Sequence, residues 1–343
     1  MLEVIGLCAE VGKFFLKDIT FQVQDGEYFV LLGSTGAGKT ILLESIAGLK
    51  SVSRGQIKIN GIDVTALNLE KRRIGFAYQD YALYRHLSVR DNISFGLMWR
   101  NKERREIEKA IDRVVEILGI ENLLGKRPMS LSGGESQKIA LARAIAIKPD
   151  LLLLDEPLSA VDPASKEAAE RQLREMHNRL QLTTIHVTHN FEEAIALGDR
   201  IAVMQGGEIL QIGAVDQIFR HPESEAVARF LMTRNVFAGE VQDGFFHTGD
   251  TKLAVATARH GKRCASIRPE DIWLSREPQN TDTLNSLKGT ITRIADRGSV
   301  VYVTVNVPPE FTCLIFHRSL EEMNLKEEQK VFVIFKASAV NVF

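Results

Sequence analysis

Gly33-Ser-Thr-Gly-Ala-Gly-Lys-Thr40 is the stretch that decides how this chain is read. It follows the apolar run Tyr28-Phe-Val-Leu-Leu32 and leads into a helix-like segment, 41–47, with a stop signal at Gly48. Strand, glycine-rich loop and helix in that order make the phosphate-loop pattern: glycine, four residues, then Gly-Lys-Thr. Gly33, Gly36 and Gly38, with Ser34, Thr35 and Ala37 between them, let the backbone curl and aim N–H groups at one anion. The helix adds its positive end at the same place. Lys39 brings a mobile cation for outer phosphates, and the Thr40 hydroxyl is a hard oxygen ligand for Mg²⁺.

With 343 residues the chain exceeds one ordinary core, so two domains are expected. A hydrophobic share of 45% and a charged share of 25% describe a globular chain. A net charge of −1 gives no electrostatic ground for nucleic-acid binding. Cys8, Cys264 and Cys313 are odd in number and far apart, which suits neither a disulfide framework nor a zinc site. They are expected to be buried, reduced thiols of a cytosolic protein. No signal peptide opens the sequence and no apolar run is long enough to cross a bilayer, so another chain is expected to span any membrane involved.

Short strands are expected at 2–7, 19–23 and 28–32, with Phe14 and Phe15 between the first two, and again at 55–61 and 74–78. The last of these delivers Gln79. Residues from Asp80 to about Pro149 read as mostly helical, the charge run at 100–113 being the solvated face of a helix. LLLL at 151–154 reads as a strand buried on both faces of a parallel sheet. Asp162-Pro163 caps a helix reaching about Leu180, a strand at 184–188 ends at His189, and 191–197 is helical. Strands at 200–204 and 209–212 flank Gly206-Gly207. After about Asn235 the chain becomes a series of short β runs: 236–242, 263–267, 288–294, 299–306, 312–316 and 331–335.

Two further features carry chemistry. Asp155 and Glu156 follow the buried run at 151–154, at the strand edge where open α/β sheets bind ligands. Successive residues face opposite ways, so the pair divides the work: Asp155 holds Mg²⁺ and Glu156 deprotonates a water attacking a γ-phosphate. Leu-Ser-Gly-Gly-Glu at 131–135 opens a helix and offers Ser132, Gly133 and Gly134 as a second anion-binding helix start; alone it is equally a capping box closed by Glu135.

GSTGAGKT, Gln79, LSGGE, LLLLDEP and Thr188-His189, in this order, resemble the ATP-binding subunit of an ABC importer over the whole chain. The resemblance implies ATP and Mg²⁺ as ligands and a head-to-tail homodimer, with each ATP held by 33–40 of one copy and 132–135 of the other. It implies that Gln79 touches Mg²⁺ and the attacking water, that His189 contacts the γ-phosphate and that Asp162 crosses the dimer interface. The segment 79–92 resembles the groove receiving a permease helix, with Tyr84 as anchor; Arg85 stands where the family usually has Pro, and Asn190 where it has Asp. The adenine-stacking aromatic usually falls near Val11, so Phe14 is the substitute.

The implied fold is α/β: a P-loop domain over 1–235 with a helical subdomain at about 80–150, then a small all-β, OB-like (mop/TOBE-type) barrel over 236–343. IRPEDI at 267–272 resembles the barrel domain of bacterial and archaeal importers, and HRSLEEM at 317–323 and especially FKASAV at 335–340 resemble the molybdate-binding repeat of molybdate and tungstate importers, with Ser319, Lys336 and Ser338 as candidate oxyanion ligands. The family's Ser-x-Arg-Asn is here Asp282-Thr-Leu284-Asn285, which replaces an arginine by an apolar residue and adds a carboxylate. The implied role is the ATP-hydrolysing subunit, peripheral on the cytoplasmic face of the membrane, that drives oxyanion import through a separate permease served by a periplasmic or extracellular binding protein. The alternatives are the same role for sulfate, ferric iron or a sugar, or a soluble ABC ATPase outside transport.

Overall fold

The computed structural model describes residues 1–98, 103–231, 234–279, 281 and 283–343. Asp282 and the part of the expected charge run at 100–102 lie outside the described residues. The chain divides into two compact units, Met1–Ile218 and Phe219–Phe343.

The first unit holds two sheets. Strands β1 (Leu2–Val11), β2 (Phe14–Val23), β4 (Arg54–Ile59) and β5 (Ile62–Asp63) form an antiparallel sheet in the order β2-β1-β4-β5. Strands β3 (Tyr28–Leu32), β6 (Ile74–Ala77), β7 (Leu151–Asp155), β8 (Thr183–Thr188), β9 (Arg200–Gln205) and β10 (Glu208–Ala214) form the second, in the order β10-β9-β3-β8-β7-β6. Within it β9, β3, β8, β7 and β6 run parallel and only β10 is antiparallel. Every residue of β3, β7 and β8 is buried, the condition under which strands read as unbroken apolar runs. Between the sheets lies one core built from Leu2, Val4, Phe21, Phe29, Leu31, Leu151, Leu153, Ile185 and the inner face of α1 (Lys39–Ala47). Each such side chain contributes about 1.5–3 kcal/mol by leaving water.

Helices α2 (Val89–Met98), α3 (Arg104–Leu118) and α4 (Gly133–Ala146) occupy the expected helical stretch. Helices α5 (Pro163–Leu180) and α6 (Phe191–Leu197) match the expected spans. The segment around Phe14 is not a loop between strands. Val11 pairs with Phe14 across Gly12, whose φ of 62° allows a two-residue turn, so β1 and β2 run on as one long hairpin.

Helix α7 (Val215–Arg220) contains the division between the units, which falls before the expected 235/236. The intervening segment is bonded to the β-rich part: the Asn341 amide donates to the Pro222 carbonyl, and Cys264 Sγ lies 3.7 Å from Glu225 of α8 (Glu225–Phe230). The second unit comprises two five-stranded sheets sharing one core, β13-β12-β11-β14-β20 and β15-β19-β16-β17-β18. In chain order these strands are β11 (Asn235–Gln242), β12 (Phe245–Thr248), β13 (Thr251–Ala254), β14 (Gly261–Ile267), β15 (Trp273–Ser275), β16 (Leu284–Asp296), β17 (Val301–Asn306), β18 (Glu310–Ile315), β19 (Lys330–Lys336) and β20 (Asn341–Val342), with α9 (His317–Glu322) before β19. β12, β13, β15 and β20 were not expected from sequence, and β16 starts at Leu284 rather than 288. No helix among the described residues is long and apolar enough to cross a membrane.

Candidate active site

Register assembles the site. In the parallel sheet Ala77 pairs with Leu154, Asp155 with Val187, and Leu32 with Thr188. The chain therefore leaves β6, β3, β7 and β8 at one carboxyl edge, carrying Gln79, residues 33–40, Asp155-Glu156 and His189 to the same side of the sheet.

Glycine is required in the loop itself. A Cβ on Gly33 would lie 2.4 Å from the Met204 carbonyl oxygen of β9. Gly38 caps α1 at φ 100°, and a Cβ there would lie 2.5 Å from the Phe14 ring. Lys39 is 5% exposed and folds back over the loop, its Nζ donating to the Gly33 and Ser34 carbonyls at 2.8 and 3.0 Å. Burial pulls its pKa below the ordinary lysine value, against Glu156 and Asp155. Glu156 Oε1 stands 4.0 Å from that Nζ.

Thr40 Oγ1 donates to Asp155 Oδ1 at 3.1 Å. Burial raises the Asp155 pKa, the Thr40 hydrogen bond working the other way. Glu156 has φ 44°, a left-handed backbone that disfavours a side chain, and is held there by its N–H donating to the Val187 carbonyl at 3.0 Å. His189 Nδ1 is 3.0 Å from Glu156 Oε1, so this carboxylate and the exposed histidine already touch. Gln79 is exposed at the same edge.

The second helix start is built differently. Ser132 Oγ accepts the Glu135 N–H at 3.2 Å while Glu135 accepts the Ser132 N–H at 2.8 Å, a complete capping box. Gly133 and Gly134 open the first turn, where backbone donors lack intrahelical acceptors. A Cβ on Gly133 would lie 3.1 Å from the Ala160 carbonyl, so this start borders the 159–162 turn. Asp162 caps α5, accepting the Ser165 N–H at 3.1 Å. Among the described residues no hydrogen bond or ion pair joins 132–135 or Asp162 to 33–40.

Phe14 packs partly buried against Gly38 and the core, whereas its neighbour Phe15 is 49% exposed. Tyr84 is 36% exposed, stacks on Phe95 at 4.5 Å and lies under Arg143 at 5.4 Å. Ser319 sits on α9 beside the Asp296–Gly298 turn, where His317 Nε2 meets the Gly298 carbonyl at 2.8 Å. Lys336 pairs with Leu284 at the other end of the 13-residue β16, next to Ser338, so one chain does not gather all three candidate oxyanion ligands.

Sequence reasoning missed two cations that hold backbone carbonyls, one buried and one half-buried. Arg72, 4% exposed, donates to the Ser45 and Ile46 carbonyls at 3.0 and 2.7 Å, closing the C-terminal end of α1. Arg143 of α4 donates to the Tyr81 and Ala82 carbonyls at 2.9 and 2.6 Å, clamping the segment after Gln79. The positive φ angles of Tyr81 and Ala82, 61° and 40°, mark that segment as held rather than relaxed, a feature no local residue pattern announces.

Comparison with known proteins now adds to this geometry. Residues 16–159 match the ABC transporter family, and residues 281–342 the TOBE domain. The chain is 41% identical to the molybdate/tungstate import ATP-binding protein WtpC of Pyrococcus abyssi, covering 100% of both chains. It is 36% identical to the sulfate/thiosulfate import ATP-binding protein CysA of Synechocystis, over 93% of this chain and 88% of that one. Among solved structures it resembles the ATP-binding cassette MJ0796, a dimer in a post-hydrolysis state bound to ADP and Pi, with a TM-score of 0.56 and 26% identity over 63% of this chain and 99% of that chain.

Proposed function

This chain belongs to the ABC transporter family of ATP-binding import subunits, and we propose that it hydrolyses ATP to drive molybdate or tungstate import through a separate permease. The observation that carries the chemistry is the Lys39–Glu156–His189 cluster at the sheet edge, fed by a loop whose glycines leave backbone donors open. The full-length similarity to molybdate/tungstate import subunits supports the oxyanion. The sulfate/thiosulfate relatives favour a second reading, the same motor serving sulfate.

In this reading the N–H groups of 33–40 and the Lys39 ammonium hold the phosphates, Lys39 exchanging the Gly33 and Ser34 carbonyls for phosphate oxygens. Thr40, Asp155 and Gln79 are hard oxygen donors and fit Mg²⁺; Asp155 is 4% exposed, and a cation beside it would offset the burial that raises its pKa. Bound there, Mg²⁺ neutralises charge on the phosphate oxygens. Glu156 takes the proton of the attacking water, and His189 orients that carboxylate through Nδ1–H before meeting the γ-phosphate. Ser132, Gly133, Gly134, Glu135 and Asp162 act on the nucleotide of a second copy in a head-to-tail dimer, which accounts for one chain having two anion-facing helix starts and one lysine loop.

Of the two hairpin phenylalanines, Phe14 supports the loop from beneath and Phe15 is free to stack on a base. The protein works at the cytoplasmic face of the membrane, its 79–92 segment receiving the permease with Tyr84 as anchor, and a periplasmic or extracellular binding protein delivers the anion to that permease. Lys336 and Ser338 remain an anion-binding pair, without Ser319. Reconstitution with permease and binding protein tests the whole: molybdate or tungstate should stimulate ATP hydrolysis and sulfate should not. Stimulation by sulfate alone would transfer the assignment to the second reading.

A further inference from the structure

Behind the turn that carries His189 lies a buried ionic cluster with no part in the mechanism above. Glu193, on α6, is 4% exposed. One carboxylate oxygen, Oε2, accepts the Thr188 hydroxyl at 2.6 Å and stands 3.5 Å from His186 Nε2. The other, Oε1, pairs with Lys166 Nζ of α5 at 2.8 Å. Thr188 Oγ1 in turn accepts the Asn190 N–H at 3.0 Å, and Asn190 Oδ1 accepts the Glu193 N–H at 3.0 Å. Of the residues flanking His189, Thr188 is thus tied to the Glu193 side chain and Asn190 to Thr188 and the Glu193 backbone. Lys166 lies in the first turn of α5, immediately after its cap Asp162.

Helix α6 does not need this charge to form. Asn190 caps it, and Ala194 and Leu197 bury its inner face. Glu193 is buried and Lys166 half-buried, and burying a carboxylate costs desolvation that pairing rarely more than offsets, so the charge asks for a reason other than stability. Burial works to raise the Glu193 pKa, but the nearby His186 ring, the Lys166 ammonium and the Thr188 hydroxyl outweigh it and hold it at about 2, so the group is ionised and its pairing to Lys166 persists.

We propose that Glu193 is a positioning residue that locks the His189 turn to the start of α5, so that the Asp162 turn and the switch histidine move as one piece. Contact made by Asp162 with a second copy would then be felt at His189 through a single carboxylate. This rests on the reading of His189 as the γ-phosphate contact.

The test is steady-state ATP hydrolysis by the full chain, with melting temperature and nucleotide binding measured alongside. Glu193→Gln keeps a hydrogen-bond acceptor for Thr188 and loses the charge for Lys166; its kcat should fall about tenfold with KM for ATP within about twofold. Glu193→Ala should cost about a hundredfold, the range expected when a reacting group is misplaced by about an ångström. Lys166→Met should reproduce the Glu193→Gln loss, and the double variant should be no worse than either single one. A folded Glu193→Gln protein with unchanged kcat would overturn the proposal. So would additive losses in the double variant, or a KM rise that accounts for the whole effect. His189→Ala is the control for the premise: full activity there would remove the reading of His189, whereas an inactive His189→Ala beside an unaffected Glu193→Gln would remove only the present inference. Should Glu193→Ala fail to fold, the Glu193→Gln and Lys166→Met results decide.

Discussion

Helices α1 and α4 both have glycine at their start, as cap in one and as first residue in the other, and both present a positive end, but their first turns are finished in opposite ways. At α1 the cap is Gly38 in a left-handed conformation with no side chain to satisfy the backbone, and Lys39 folds over the opening. At α4 the cap is Ser132 in an extended conformation, reciprocally bonded with Glu135, and Lys126 stands 3.1 Å from Glu135. One start is left incomplete for a ligand to finish. The other is stable by itself and offers only its glycine N–H groups. The difference suits the roles proposed for them, the first as the seat of a tightly held anion and the second as a surface that meets an anion bound on another copy.

The largest expected effect breaks the chemistry and leaves the seat intact. Glu156→Gln should lower kcat about a thousandfold with ATP still bound, and an ATP-loaded dimer should accumulate on size exclusion. Unchanged turnover would remove Glu156 as the base. Next, Ser132→Ala should separate the two helix starts. Loss of the cap should destabilise the fold by about 1 kcal/mol, and kcat should fall about tenfold, while ATP affinity of the monomer stays the same. An equal fall in monomer affinity would mean that α4 serves its own loop rather than a partner's. A smaller effect belongs to the hairpin: Phe15→Ala should raise KM for ATP about fivefold without changing the melting temperature, since a base–aromatic stack is worth at least about 1 kcal/mol. Phe14→Ala should instead lower the melting temperature. The smallest effect is in the second unit, where Lys336→Ala should weaken molybdate binding by the full chain about threefold, as measured by calorimetry. If the parent chain takes up no molybdate, Lys336 and Ser338 are ordinary surface residues.

What could be read in advance followed from local patterns. The phosphate loop, the run at 151–154 and the Asp162-Pro163 cap each combine a residue preference with a neighbouring periodicity, and each sits where that combination places it. The β8 strand was legible in spite of its Thr and His residues, whose polar atoms are met by Tyr28, His177 and Glu193 from other elements. Those partners were not legible, because nothing near Glu193 in sequence names Lys166 or His186. Arg72 and Arg143 escaped for the same reason, each bonding to carbonyls more than twenty residues away. In the second unit β12 and β13 are four residues long, too short for an alternating pattern to stand out, although Asp243-Gly244 marks the turn before β12. The domain boundary was placed by the change in composition, but the segment from Phe219 is held by single bonds to Asn341 and Cys264 that composition does not register.

The left-handed backbone at Glu156 has a consequence for anyone who evolves this protein. Glycine tolerates that conformation without penalty and asparagine nearly so, and relief of such strain is worth about 1 kcal/mol. A library selected for heat resistance alone should therefore enrich Glu156→Gly and Glu156→Asn, and its hardiest survivors should be idle motors.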